Sequence, residues 1–427
     1  MARMKFMRAE AMSVATDAHA KQPDDPLIDY REVVARHGFA EHAARADRYF
    51  ATLDIHSSIA RKPFAEPAEA AELCGGLAAL LPDLMLFPGA RVLDFGAGTC
   101  WMTRRLALLG CEVIAVAFSR KALEVGEQLI RSDPHSGQLN VQFVTLSGPD
   151  LPFAAGTFDR VVCFDALHHV PDQQHAIAEF ARVLKDGGVA ALHEPGPEHS
   201  RSAQSQYEMR MHDVIEADVH VEKLVEAAFA AGITRAELAV YGPRTLKTDL
   251  VGFNDFLASP QTSSLGRQFI ENTAARMENR RTFFLYKGDT LASMDSRSRS
   301  GLQASINVSA EVGDAGTFVR GTIANTGSTR WLPSFGGVGS VNVGVHLHGD
   351  DGSLVEQDYG RFAISADPVA PGESRPVDIC IPHPEGYRRF ELTVDLVAEG
   401  VSWFEVAGGT PARFVVSLDE PSNLRRL

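Results

Sequence analysis

The sequence predicts an α/β chain in two parts: a Rossmann-like sheet with flanking helices, followed by an all-β sandwich. Three observations predict it. Between residues 91 and 192, short apolar runs alternate with helical patterns, as a parallel sheet with crossover helices requires. An acidic residue and two glycines, Asp94-Phe95-Gly96-Ala97-Gly98, close the first apolar run. Beyond about residue 302 the helical period vanishes and short alternating runs replace it.

The elements follow in order. Arg91-Val92-Leu93 reads as a strand that delivers Asp94, and the two glycines let the backbone pass close to a ligand before Trp101 to Leu109 winds into a helix. A dinucleotide fingerprint would place a third glycine where this chain has Trp101, and a carboxylate before the first glycine sits badly beside a pyrophosphate. It suits a cationic ligand. Glu112 to Val116 is a second strand, Arg120 to Ile130 a helix and Val141 to Thr145 a third strand. Then come Leu151-Pro152-Phe153, the run Thr157 to Cys163, Ala166-Leu167-His168-His169-Val170, the run Phe180 to Gly188 and Val189 to Leu192, at the spacing of strand, helix, turn, strand. A helix over Asp172 to Lys185 puts Ile177, Phe180, Ala181 and Leu184 on one stripe, with charges placed as the helix dipole prefers, and Gly187-Gly188 stops it. Ligands of such a sheet lie beyond the carboxyl ends of its strands, so Asp94, Phe118, Ser147, Asp165 and Glu194 are expected on that edge.

Over about residues 70 to 290 this pattern resembles the class I S-adenosylmethionine-dependent methyltransferases, in the subfamily with Leu-Pro-Phe, a His-His pair and Arg-Val-Leu-Lys-x-Gly-Gly. The resemblance implies a seven-stranded sheet, S-adenosylmethionine as cofactor, and a cofactor site at Asp94, Gly96, Ala97, Gly98, Thr99, Ala117, Phe118, Ser147 and Asp165. Two positions depart from the family. Ala117 stands where an acidic residue usually grips the ribose hydroxyls, and Ser147 stands where an aspartate often meets the adenine amino group. A charge-assisted hydrogen bond contributes about 1.5 to 3 kcal/mol, so the absence of a ribose-binding acid costs roughly tenfold to a hundredfold in affinity. Phe118 remains to stack on the adenine and Ser147 to bond its edge.

Methyl transfer from a sulfonium is an in-line displacement, so the chain has to align the acceptor and, for a hydroxyl, remove its proton. His168 and His169 are the candidate bases, and Glu194 their carboxylate partner by analogy with sugar and small-molecule O-methyltransferases. No metal set is expected. His193 to His199 has the letters of a zinc motif without its spacing, and Pro195 and Pro197 forbid the helix that the motif needs. The five cysteines form no CxxC pair.

Composition sets further limits. The chain has 427 residues, enough for two or three domains, and 45% hydrophobic with 22% charged residues suits a soluble globular protein. A formal charge of -14 disfavours nucleic acid as partner, and no apolar stretch is long enough for a transmembrane segment. The basic start, Met1 to Arg8, is not followed by the apolar core of a signal peptide, so the cytoplasm is the expected compartment.

The expected organisation is an N-terminal helical segment or lid over 1–65, the methyltransferase-like domain over 66–288, a polar linker over 289–301, a β-sandwich over 302–420 and a tail over 421–427. Within the first segment about 25 residues are expected to be mobile, and Asp29 to Leu53 to form a helical pair that is either a lid over the cofactor pocket, as the resemblance implies, or a packing arm. An insertion at about 197–280 is expected to shape the acceptor site, with an amphipathic helix at Val221 to Phe229 and a strand at Glu237 to Tyr241, before Thr282 to Gly288 ends the sheet. In the sandwich, Asn325-Thr326-Gly327 leading to Trp331, Pro371-Gly372-Glu373, Gly386-Tyr387 and Ser402-Trp403-Phe404 resemble an immunoglobulin-like module that accompanies enzymes of bacterial surface polysaccharide synthesis. That resemblance implies a sugar or glycolipid acceptor, O-methylation in polysaccharide or O-antigen assembly, and glycosyltransferases as partners. Two alternatives stand beside it: a small lipophilic or phenolic acceptor, and a catalytically degenerate fold serving as a scaffold or a glycan- or protein-binding module. Trp331, Trp403 and Phe404 are either a sugar platform or sandwich core.

Overall fold

The computed structural model describes residues 26–51, 59–242, 245–290, 294–419 and 424–426. The first 25 residues, the end of the helical pair at Leu53 and most of the 421–427 tail lie outside the described residues. Two helices, α1 (Tyr30–Arg36) and α2 (Phe39–Phe50), come first, then α3 (Pro67–Leu84). The α/β unit continues through β1 (Arg91–Phe95), α4 (Trp101–Leu108), β2 (Glu112–Ala117), α5 (Arg120–Ser132), β3 (Val141–Thr145), β4 (Phe158–Phe164), α6 (Gln173–Val183) and β5 (Leu184–Pro195). After these come α7 (Ala203–His212), α8 (Val221–Ala230), β6 (Arg235–Leu238), α9 (Leu250–Ala258), α10 (Ser264–Asn279) and β7 (Arg280–Tyr286).

The seven strands form one sheet in the order β3-β2-β1-β4-β5-β7-β6. Strands β1 to β5 pair in parallel, and β7 runs antiparallel to both β5 and β6. Helices cover both faces, which is why the central strands read as unbroken apolar runs. On one face Leu93, Phe95, Ile114 and Val116 pack with Ile177 and Phe180 of α6 and Leu224 of α8. On the other, Val92, Val113 and Ala115 pack with Leu80 and Leu84 of α3 and Leu106 of α4. Arg160 of β4 is buried because its guanidinium serves the open end of α3, donating to the Leu84 carbonyl at 2.5 Å and the Met85 carbonyl at 2.8 Å.

Several boundaries differ from the sequence reading, each for a local reason. The helix expected to run to Lys185 ends at Val183, because Leu184 is extended and pairs with Phe158, so the glycine pair lies inside β5. Thr282 to Gly288 is last in sequence but not last in space: the strand sits between β5 and β6. Strand β6 begins and ends earlier than Glu237 to Tyr241. The polar stretch after Ser200 is helical in α7, capped by the Ser202 hydroxyl at Ser205 N–H.

The C-terminal part holds β8 (Ala304–Gly313), β9 (Gly316–Asn325), β10 (Val341–His348), β11 (Leu354–Ala363), β12 (Ser374–Ile381), β13 (Arg389–Ala398), β14 (Ser402–Trp403), β15 (Ala412–Ser417) and β16 (Arg425–Arg426). One antiparallel sheet runs β12-β9-β8 and the other β11-β10-β13-β15-β16, with β14 on β13. Their inner faces share one core, in which Ile306, Val319 and Ile379 meet Val343, Leu392 and Phe414. Trp331 and Phe404 belong to that core, at 0% and 1% exposure and packed edge to face. Trp403 is half-buried under the Arg361 guanidinium, 4.4 Å from its ring. Strand β11 was not legible as a strand because its first five residues, Leu354 to Asp358, are all exposed and show no alternation of apolar and polar positions.

The segment expected as a polar linker is well anchored where it is described. Met294, Asp295, Ser296 and Ser298 are buried, Arg297 forks onto Asp295 and lies over the Phe87 ring at 4.8 Å, and the Ser296 hydroxyl donates to the Gly339 carbonyl. Among the described residues no helix is long and apolar enough to cross a membrane.

Candidate active site

The carboxyl ends of the parallel strands collect the expected residues at one edge. Asp94 lies in β1, Phe118 directly follows β2, Ser147 lies two residues past β3, Asp165 directly follows β4 and Glu194 ends β5 before Pro195. The glycine turn after β1 takes left-handed backbone at Gly96 (φ 75°), Gly98 (φ 51°) and Cys100 (φ 63°). The two glycines serve different ends. A Cβ on Gly96 would lie 2.1 Å from the Ala166 Cβ, so this glycine allows the turn to pack on the β4 exit. Around a Cβ on Gly98 the nearest atom is the Gly96 carbonyl oxygen at 3.9 Å, so that face of the turn is open. Thr99 fixes the loop from above by donating to the Ile59 carbonyl at 3.1 Å, and Ala97 is buried in the sheet core.

Asp94 is turned inward. It is 2% exposed and accepts a hydrogen bond of 2.5 Å from the Thr103 hydroxyl of α4. Burial raises its carboxyl to about 6 against the opposing pull of Thr103. A cation beside the loop would lower it again. Asp165, in a left-handed conformation (φ 49°), pairs with the Arg280 guanidinium from the start of β7. Burial alone would raise the Asp165 carboxyl, but Arg280 outweighs it and holds the group below the usual range. Ala117 is buried at the end of β2. Phe118 is packed edge-on by Phe39 of α2 and Phe95, so α2 rests on the β2–α5 turn.

Beyond β4 and β5 lies a cluster of imidazoles and carboxylates. Glu194 is fully buried; its Oε1 accepts from the Ala166 and Leu167 amides at 2.9 Å each, and its Oε2 accepts from His168 Nδ1–H at 2.9 Å. Burial would raise this carboxyl, but the His168 ring and the Ala166 amide outweigh it and hold it low. His168 is 6% exposed, and burial with the neighbouring His169 lowers its imidazole below the ordinary value. His169 donates from Nδ1–H to the Ile215 carbonyl at 2.7 Å and keeps its ring partly exposed. Each of these rings therefore has Nε2 as its lone-pair nitrogen.

Around them stand groups that sequence reasoning missed. His199 donates from Nε2 to Glu216 at 2.8 Å, and its ring meets His168 edge-on at 4.7 Å. Glu216 is driven down to about 2 because His169 and His199 outweigh its burial. Ligand-type atoms of His168, His169 and Glu216 lie within 4.8 Å of one another, a set able to hold a cation if Glu216 gave up part of its tie to His199. His193 instead faces the other side of the sheet, stacked on Phe164 and bonded to the Thr282 hydroxyl, and burial lowers it to about 4. Nearby, a cleft of about 330 Å³ opens between α3 and α10, lined by Glu72, Gly75, Ala79, Tyr241 and Arg276. No spacing rule connects Arg280, His199 or Glu216 to the glycine turn, since only the fold brings them to one edge.

The open turn at Gly98, an inward carboxylate and a buried His–Glu pair fit a small cationic nucleoside cofactor better than a dinucleotide. Known proteins resemble the α/β part of the chain. The family described as a methyltransferase domain matches residues 93–192. The chain is 38% identical over 100 residues to the demethylmenaquinone methyltransferase of Clavibacter sepedonicus, covering 23% of this chain and 39% of that protein. It is 34% identical over 105 residues to the ubiquinone biosynthesis O-methyltransferase of Xanthomonas campestris pv. campestris, covering 25% and 43%. The chain thus spans less than half the length of either relative. Among solved structures it is similar to phosphoethanolamine N-methyltransferase 2 of Haemonchus contortus in complex with S-adenosyl-L-methionine, at 18% identity, 61% and 60% coverage and a TM-score of 0.38. Residues 93–192 thus match a methyltransferase domain, and they lie within the seven-stranded α/β sheet of order β3-β2-β1-β4-β5-β7-β6.

Proposed function

We propose that this chain transfers a methyl group from S-adenosylmethionine to a hydroxyl of a small acceptor, and that His168 with Glu194 removes the acceptor's proton. The observation that carries the reading is the 2.9 Å bond from His168 Nδ1–H to Glu194 Oε2 at the carboxyl edge of the sheet. The cofactor, when bound, supplies an electrophilic methyl carbon on a sulfonium. Gly96, Ala97, Gly98 and Thr99 would form its cradle, Phe118 and Ser147 lie at the same strand edge for its base, and the Asp94 carboxylate would offer negative charge to its cationic end, while Asp165 is already paired with Arg280. Glu194, held ionised, fixes the Nδ1–H tautomer of His168 and leaves Nε2 as the acceptor of the hydroxyl proton. As the imidazolium forms, Glu194 stabilises its charge. No step needs a metal ion.

The acceptor is the open half of the reading. A sugar hydroxyl in bacterial surface polysaccharide or O-antigen assembly, with glycosyltransferases as partners, rests on the sandwich motifs alone. A lipophilic or phenolic acceptor has two supports. Relatives are named for menaquinone and ubiquinone biosynthesis. Helices α9 and α10 also expose Leu250, Val251, Phe253, Leu257 and Ile270, an apolar face beside the strand that carries Arg280. We favour the lipophilic or phenolic class. Methyl transfer from tritiated S-adenosylmethionine, scored against hydroxylated quinols, phenols and nucleotide sugars, tests it. Transfer to quinols or phenols supports this class, transfer to sugars alone restores the polysaccharide reading, and cofactor binding without transfer to any acceptor favours a scaffold.

A further inference from the structure

The ribose of a nucleoside cofactor is commonly gripped in sheets of this kind by a carboxylate at the end of the second strand. Here that strand ends in Val116-Ala117-Phe118-Ser119, and Ala117 offers no polar side-chain atom. The fold brings a carboxylate to the same turn from another element. Asp47 of α2, which lies 72 residues before Ser119, accepts from the Ser119 hydroxyl at 2.7 Å and from the Lys121 amide at 3.1 Å, both through Oδ1. The same helix sets Phe39 against Phe118, with ring centroids 5.3 Å apart, so α2 is pinned on the β2–α5 turn at two points. Neither bond uses Asp47 Oδ2. Asp47 is half-buried, and its helical neighbours Arg45 and Arg48 are paired with Glu41.

We propose that Asp47 supplies, from outside the sheet, the carboxylate that Ala117 lacks, accepting from the vicinal hydroxyls of the cofactor ribose through Oδ2 while Oδ1 holds the α5 cap. This rests on the reading that the domain binds S-adenosylmethionine and deepens it: the N-terminal helix is part of the cofactor site and not only a cover over it. The charge-assisted hydrogen bond that Ala117 cannot make is then made from α2.

The test is a cycle of ligand against variant, read by calorimetry with S-adenosylhomocysteine and its 2′-deoxy and 3′-deoxy ribose analogues. The unaltered chain is expected to bind the parent compound more tightly than the deoxy analogues. Asp47→Ala should weaken the parent by roughly tenfold to a hundredfold, while at least one deoxy analogue changes little. Ala117→Asp in the Asp47→Ala background should bring the parent's affinity back. Thermal midpoints of each variant report whether α2 stays docked. Equal weakening of all three ligands by Asp47→Ala assigns Asp47 to the α5 cap alone and overturns the proposal, as does an unchanged affinity for the parent compound. Failure of the unaltered chain to bind any of the ligands overturns the cofactor reading itself, and the assignment with it.

Discussion

His168 and Glu194 are joined by a 2.9 Å hydrogen bond across 26 residues of chain, from the turn after β4 to the end of β5. Two backbone amides at the start of that turn, of Ala166 and Leu167, hold the other oxygen of the same carboxylate. The imidazole's orientation and tautomer thus follow from one buried acid. Glu194→Gln keeps an oxygen for the two amides but presents an amide donor to His168, which drives the ring to the tautomer with Nε2–H. Methyl transfer should fall by about 10² to 10⁴-fold in kcat for both Glu194→Gln and His168→Ala, with cofactor affinity unchanged. Steady-state kinetics beside calorimetry separate the two quantities. An equal loss in His169→Ala, with none in His168→Ala, would move the base to the more exposed ring.

The pH profile follows from the same pair. Burial and the adjacent His169 lower the His168 imidazole, so at neutral pH its Nε2 is free to accept a proton. kcat/KM should be level near pH 7 and decline on the acid side, through a midpoint below the ordinary imidazole value of 6.5. His168→Ala should remove that decline together with most of the rate. A midpoint above the ordinary value would show that the ring is charged in the resting protein.

Asp94 gives a prediction for stability. Its carboxyl is raised from the ordinary 3.8 to about 6, so the folded chain holds this proton more tightly than the unfolded one. The stabilising effect of the protonated form is present at low pH and is lost as pH rises from 3.8 through about 6. Asparagine, neutral at every pH and still able to accept from Thr103, should stabilise the fold by about 1 to 3 kcal/mol above pH 7 and by little near pH 4. Denaturant titrations at the two pH values measure the difference. A loss of stability at both would mean that the buried charge is compensated by groups other than Thr103.

The glycine turn separates folding from binding. Gly96→Ala would drive a methyl group into Ala166 and should destabilise the domain by about 1 to 3 kcal/mol. Gly98→Ala has room and incurs only the left-handed backbone cost of about 1 kcal/mol, yet its methyl group enters the open face of the cradle. Thermal melts should single out Gly96→Ala, and S-adenosylhomocysteine titration should single out Gly98→Ala.

In the sandwich, Trp331→Ala should cost about 3 to 5 kcal/mol, because the ring is fully buried against Phe404. Glycan binding by this side chain is not expected, since it has no solvent access. Trp403, half-buried beneath Arg361, is the one of the three aromatics with surface to offer.

Much of the fold was legible because it depends on local pattern. The apolar runs of β1, β2 and β4, the glycine turn and the alternation of Phe390, Leu392, Val394 and Leu396 are signals carried within a few residues. The His168–Glu194 pair was accessible through the resemblance alone, which set a carboxylate at the end of β5 beside the histidines of the turn after β4. What stayed hidden depends on the path of the chain. Asp47 is an ordinary helix residue until α2 is laid on the β2–α5 turn, and Arg280 meets Asp165 only because β7 enters between β5 and β6. Helix α7 was obscured by its polar composition, and β11 by its exposed first half, Leu354 to Asp358, which precedes the Tyr359 and Phe362 that pack on the sandwich core.

The central claim is that the turn at Asp94 to Thr99 holds S-adenosylmethionine despite Ala117. Calorimetric titration of the full chain with S-adenosylmethionine tests it most directly. Saturable one-to-one binding in the micromolar range, abolished in Gly98→Ala, is the predicted result. A flat titration up to millimolar cofactor, from protein shown by its melting transition to be folded, would contradict the claim and leave a methyltransferase fold without its chemistry.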